Sequence, residues 1–367
     1  MSRLARVAGV AGGGLGAVVV LAAGVVCLGS GCSTLGYYAQ SVNGHLDLAT
    51  SARPVGDWLA DTQTPETLKQ RLALSQRLRD YAVSELGLPD NASYRRYADL
   101  KRSAAVWNVI AAPELSLTLQ TWCFPVVGCV GYRGYFDRAA AEAFAATLKP
   151  AGLEVNVYGV PAYSTLGRLA FDALADPLLN TFIHYSEGEL ARLIFHELSH
   201  QVVYASDDTT FNESFAVAVE RIGSARWLAD PARTAAADDL KQADQRRQDF
   251  RALTSSYRDR LAALYQGSDS DATKRDAKAA LMAQLRAEYV QLKAERWGGY
   301  SGYDPWFARA NNASFGVLAA YNELVPAFER VFERQGRDFR RFYAEVRRLA
   351  ELPKEQRRAA LTLAAGD

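Results

Sequence analysis

Apolar and polar positions divide this chain into stretches of different period. Residues 7–28 form one uncharged apolar run. After a polar lead-in over residues 36–54, helical spacing begins at Thr64-Pro65-Glu66, where Pro at the first turn is a start signal. Leu68, Leu72, Leu74, Leu78, Tyr81 and Leu86 make one apolar face that stops at Gly87, and the Tyr- and Arg-rich segment 92–102 reads as a second short helix. The texture then changes. Residues 105–112, 116–123, 126–135 and 155–160 are short β-branched and aromatic runs punctuated by Pro and Gly, with a helix expected over 138–148. Beyond Gly188 the helical period returns and holds almost to the end: 188–204, a charged antiparallel hairpin over 231–265 and 271–296, a long helix over 312–328 and a basic one over 338–349. This order predicts an α+β fold, a small mixed β-sheet with helices followed by a mostly α-helical half.

The helix over 188–204 carries the chemistry. It contains Phe195-His196-Glu197-Leu198-Ser199-His200, has no Pro or Gly between Glu189 and Ala205, and opens on a Ser186/Glu189 capping box. His196 and His200, four residues apart, stand one above the other, so two imidazoles can hold one cation while Glu197 faces the water that the cation activates. Zinc is the expected metal. A catalytic zinc needs a third protein ligand and keeps its fourth position for water. Glu213, on the next helix and nearest the turn, is the expected third ligand, with Glu220 and Asp207 or Asp208 as alternatives. Asp207 or Asp208 could otherwise orient a ligand His through its second nitrogen. His45 and His184 read as surface and helix-entry residues.

HELSH followed by Asn212-Glu213-Ser214-Phe215-Ala216 resembles the gluzincin pattern of the alanyl aminopeptidases, in which the Glu of an N-E-x-F-A segment is the third zinc ligand. Here twelve residues separate His200 from Glu213, a shorter link than in that family. Across Cys123 to Cys129, residues 132–137, 162–167 and 176–179 and the zinc segment, the chain also resembles a family of proteobacterial lipoproteins described as predicted aminopeptidases. The resemblance implies a zincin-like helical half and a zinc-dependent peptidase acting on peptides, with Glu197 as general base. Tyr321 is the leading candidate to stabilise the oxyanion, ahead of Tyr163, Tyr300 and Tyr303. Tyr163 and Thr165 are candidates for the substrate wall, and the loop 297–306 could close over a pocket. The amine-binding Gly-x-Met-Glu-Asn motif of alanyl aminopeptidases is absent, which leaves exo- and endopeptidase action both open. The alternative from another class is a non-catalytic zinc-containing envelope lipoprotein, a scaffold or chaperone-like factor.

Charge and cysteine usage decide the setting. Arg3 and Arg6 before the apolar run read as an export signal over residues 1–31, and Leu28-Gly29-Ser30-Gly31-Cys32 resembles a bacterial lipobox with Cys32 as the lipid-modified residue. An uncleaved anchor is the other reading of so long an apolar run. Either places the body outside the cytoplasm, in the cell envelope and facing the periplasm. Without Arg3 and Arg6 the 42 basic residues become 40 against 41 acidic ones, a formal charge of −1, which provides no basic field for nucleic acid. Cys123 and Cys129, close in sequence across a Pro and a Gly, predict a disulfide in an oxidising compartment. The expected organisation is a lead-in over 32–63 and a peptidase domain over 64–367, mixed α/β to 185 and helical from 186.

Overall fold

The computed structural model describes residues 32–124, 128–162, 175–318 and 324–366. Contacts divide the chain at Leu48/Ala49. On the N-terminal side, residues from Cys32 are helical: α1 spans Cys32–Ser51, where the sequence pattern suggested only a polar lead-in. The signal segment lies outside the described residues, and among those described no helix is long and apolar enough to cross a membrane.

The larger unit begins with strand β1 (Arg53–Pro54) and the short helix α2 (Val55–Ala60). Helix α3 (Glu66–Ser84) follows, with Pro65 at its N-cap and Leu72, Leu74, Leu78 and Ala82 buried, close to the expected apolar face. The expected helix over 92–102 is instead strand β2 (Arg96–Ala98), which pairs antiparallel with β1 and parallel with β8 (Leu178–Leu179). Three residues between two distant partners leave no periodic trace. The segment before β2 is pinned by buried Arg79, which donates to the carbonyls of Ser93 and Asn91.

Strand β3 (Val106–Pro113) centres a second sheet, antiparallel to β6 (Arg133–Tyr135) on one side and to β7 (Leu153–Val160) on the other, from Val106↔Val160 to Pro113↔Leu153. Between β3 and β6 lies a hairpin of β4 (Trp122–Phe124) and β5 (Gly128–Val130), in which Cys123 stands opposite Cys129 with Cα atoms 3.8 Å apart, a disulfide-capable pair. Only the end of the expected 116–123 run is strand. Helix α4 (Arg138–Leu148), capped by Asp137, occupies the expected range.

From Glu187 the unit is helical: α5 (Glu187–Ser199), α6 (Thr209–Trp227), α7 (Thr234–Gln266), α8 (Asp271–Glu295), α9 (Asp304–Arg309), α10 (Asn312–Val317), α11 (Val325–Arg334), α12 (Phe339–Ala350) and α13 (Lys354–Ala365). The α7/α8 hairpin is as expected. Its core of Phe250, Tyr257, Leu261, Leu285 and Tyr289 takes in Trp297 and Phe307. The aromatic loop, which could close over a pocket, puts Trp297 into the core and stacks Tyr303 on Phe250 at 4.6 Å, while Tyr300 and Tyr303 also line a small cavity. The single helix expected over 312–328 is two, α10 and α11. Pro326 sits in the first turn of α11, where its missing N–H costs nothing, and it cannot sit well inside a helix. α13 has no counterpart in the expected elements.

Candidate metal centre

Helices α5 and α6 run antiparallel. At one end Trp227 Nε1 donates to Glu187 at 2.8 Å, and at the other His200 meets Glu213. They come close at Gly223: a Cβ there would lie 2.7 Å from Leu86 Cδ1 and 3.0 Å from Phe195 Cδ2. Ser186 caps α5 by accepting from the Glu189 N–H. The helix ends at Ser199, leaving His200 as its C-cap in the αR region, so the two imidazoles keep their i, i+4 relation.

The short link to α6 is held by its own side chains. Buried Asn212 accepts from the Ala205 N–H at 2.8 Å and donates to the Ala205 carbonyl at 2.7 Å. Asp208 caps α6 through the Phe211 N–H. Arg357, on α13 and almost fully buried, donates to both Asp207 and Asp208 at 3.0 Å. These two acids therefore serve the turn. The expectation that either would hold or orient a ligand His is corrected: their charge is spent on a buried guanidinium.

Three donors converge. His196 Nε2 and His200 Nε2 are 3.2 Å apart, with Glu213 oxygens 3.4 Å from the first and 3.7 Å from the second. Ligands placed tetrahedrally about 2.1 Å from one ion stand about 3.4 Å apart, so this nitrogen and oxygen set fits a divalent metal. His196, His200 and Glu213 form the metal-capable group among the described residues. Glu220, weighed above as a ligand, instead accepts from His196 at Nδ1, 2.8 Å away, which leaves Nε2 facing the other two donors. His200 Nδ1 is buried without a hydrogen-bond partner among the described residues. His45 and His184 do not belong to the group.

The charges of this cluster are unequal. Burial opposes a proton on His196, but its hydrogen bonds to Glu213 and Glu220 and the charges of Glu220 and Glu197 outweigh burial and raise its pKa well above the ordinary value. His200 goes the other way, to about 4, through burial and the neighbouring His196, offset in part by Glu213. Burial would raise the Glu213 carboxyl, yet its bond to His196 and the charges of both histidines hold it below the usual range.

Beside the site lies a cavity of about 430 Å³ whose wall includes His196, Glu197 and Glu220. Tyr300 and Tyr303 border a separate, smaller cavity of about 210 Å³. Tyr321, Tyr163 and Thr165 lie outside the described residues. Tyr94 carries no motif or periodicity in the sequence. This residue is buried with φ 62°, a conformation uncommon for a bulky side chain, and its hydroxyl has no hydrogen-bond partner among the described residues. Burial first, then the charges of Glu197 and Asp176, raise its pKa well above the ordinary value. A backbone outlier that feels the charge of Glu197 is visible only in the fold.

A partly buried His/His/Glu cluster on an antiparallel helix pair, with His196 on the wall of a cavity, defines a protein able to bind a metal. A family model described as "Putative aminopeptidase" matches residues 36–361, and the chain belongs to that family. No curated protein and no solved structure matches alongside it.

Proposed function

We propose that the protein is a zinc-dependent peptidase, an aminopeptidase by family, with His196, His200 and Glu213 as metal ligands. The observation that carries this reading is the convergence of three N/O donors with a carboxylate, Glu197, on the wall of the adjoining cavity. Structural zinc sites usually have four protein ligands, often Cys. The two cysteines of the mature chain outside the lipidation position stand in the β4/β5 hairpin instead. When bound, zinc supplies a Lewis acid that polarises a peptide carbonyl and makes water acidic enough to attack near neutral pH. Glu197 takes the proton from the attacking water and delivers it to the leaving amine. Glu220 holds the His196 ring by its Nδ1–H, so the ring presents Nε2 throughout. Tyr321 remains the proposed oxyanion donor.

We also place the protein in the bacterial cell envelope, facing the periplasm and anchored through lipid on Cys32. The Arg3/Arg6 apolar run, the lipobox-like Cys32 and the disulfide-capable pair Cys123 and Cys129 support this. The deciding experiment is Glu197→Gln. That variant should bind zinc as the parent does and lose hydrolysis of a peptide library; parental turnover by it would overturn the catalytic reading. Running the library with free and blocked N-termini separates exo- from endopeptidase action.

A further inference from the structure

The cavity beside the candidate metal centre is lined by four arginines and four acids, Glu189, Glu197, Glu220 and Asp244, but the pairing among them is uneven. The arginines are Arg192 on α5, Arg221 on α6, and Arg247 and Arg251 on α7. Two of them are spent. Arg192 grips Asp244 with both terminal nitrogens, at 2.5 and 2.7 Å, while Arg247 divides itself between Asp244 at 3.0 Å and Glu189 at 2.9 Å. That network is closed, with its two carboxylates committed to two guanidiniums. Glu220 is committed to His196.

The other two form no ion pair with an acid of the wall. Arg221 has one acidic partner, Glu329, at a loose 3.6 Å, and Glu329 is not part of the wall. Arg251 has no ion pair or side-chain hydrogen bond among the described residues. Desolvation lowers its pKa, and the like charges of Arg221 and Arg247 lower it further, offset only in part by Tyr303 and Glu220. A guanidinium set among other cations on a concave wall, with its five donors unmatched, is stabilised by an anion. The same wall holds His196 and Glu197, so an anion there lies in the cavity where the bond would be cut. In a peptide the available anions are carboxylates.

We propose that this cavity is a carboxylate subsite: Arg251, assisted by Arg221, binds a carboxylate of the substrate close to the bond that is cut. The inference rests on the peptidase reading for its substrate class. It narrows that class to peptides with an acidic group beside the cut, either the α-carboxylate of a short peptide or the side chain of Asp or Glu. A cavity of about 430 Å³ suits a ligand of small size, since small-molecule sites run from about 300 to 1,000 Å³.

Binding and turnover are measured separately. Zinc-loaded Glu197→Gln protein is titrated calorimetrically with Ala-Ala and Ala-Ala-amide, and with Ala-Glu-amide and Ala-Gln-amide, in the Arg251 form and with Arg251→Gln or Arg251→Lys added. The first pair reports an α-carboxylate, the second a side-chain carboxylate. In one pair or both, the acid should bind at least about tenfold tighter than its neutral partner. Arg251→Gln should abolish that ratio without weakening the neutral peptide, and Arg251→Lys should keep part of it. Equal affinity within both pairs overturns the subsite, as does an Arg251→Gln loss that falls equally on acid and amide. Turnover of the same peptides by the Glu197 protein judges the other reading: cleavage with no acid preference removes the subsite alone, and Arg251-dependent binding with no cleavage of any peptide removes the peptidase alone.

Discussion

Removing the Glu220 carboxylate tests how the site is built. Its Oε2 lies 2.8 Å from His196 Nδ1, and both side chains are 18% exposed, so solvent screens the pair little. A charge-assisted hydrogen bond of this kind contributes about 1.5–3 kcal/mol. The bond is already made in the metal-free protein, where it also supports the His196 proton, so metal binding should weaken by at most about 10- to 150-fold in Kd. Glu220→Gln keeps a carbonyl oxygen within reach and loses only the charge, so its Kd should fall between those of the parent and Glu220→Ala. Glu213→Ala removes a donor itself and should cost more than either. Zinc competition against a chromophoric chelator at fixed neutral pH orders the four proteins. A Glu220→Ala Kd equal to that of the parent would show that the ring is held by something else. A Glu220→Ala loss larger than that of Glu213→Ala would exchange their roles.

Other consequences follow from the same contacts. Because His196 holds a proton well above its ordinary pKa while His200 is neutral above about 4, zinc binding near neutral pH should release about one proton, from His196. Calorimetry in two buffers of different ionisation enthalpy reads it, and affinity should rise with pH. In the metal-free protein the raised His196 pKa contributes stability that is fully present below about pH 6.5 and lost as pH rises through the folded value. The depressed Glu213 contributes stability present above about pH 4.5 and lost as pH falls through its folded value. The lowered His200 acts against this plateau, costing stability as pH falls from about 6.5 through about 4, so metal-free denaturation midpoints should peak near pH 6.5 and decline on both sides. Arg357→Met leaves Asp208 buried and unpaired and should cost about 3–5 kcal/mol in urea unfolding; a loss under about 1 kcal/mol would mean that the turn has other support. Gly223→Ala puts a methyl 2.7 Å from Leu86 Cδ1 and 3.0 Å from Phe195 Cδ2, costing about 1–3 kcal/mol. Since Phe195 precedes His196, zinc affinity should fall as well.

Local signals in the chain were readable, and long-range ones were not. HELSH on a capped helix and Glu213 just past a turn are near neighbours in sequence, so periodicity and spacing located them. The strands β3 and β7 announced themselves by β-branched and aromatic runs long enough to show. Strand β2 did not, because its partners lie more than forty residues away on one side and about eighty on the other. The break between α10 and α11 was marked by Pro326, which lay inside an otherwise continuous apolar pattern. The Arg357 clamp joins residues 149 positions apart, and no local pattern assigns one arginine of a basic tail to one aspartate of a turn. That Arg251 stands on the cavity wall without an ion pair is likewise invisible in the sequence, since it depends on which groups the fold brings together.

The two histidines are held by different means. His196 is fixed by the protein through Glu220, whereas the buried Nδ1 of His200 has no partner among the described residues, so its ring is oriented from the Nε2 side. The ion would then complete the fold as well as the chemistry, tying the C-terminal end of α5 to the first turns of α6. Zinc loading should therefore raise the unfolding midpoint by mass action, in proportion to RT ln(1 + [Zn]/Kd). On the proposed reading, supply of the metal would set how much of the folded protein persists as well as how much of it works.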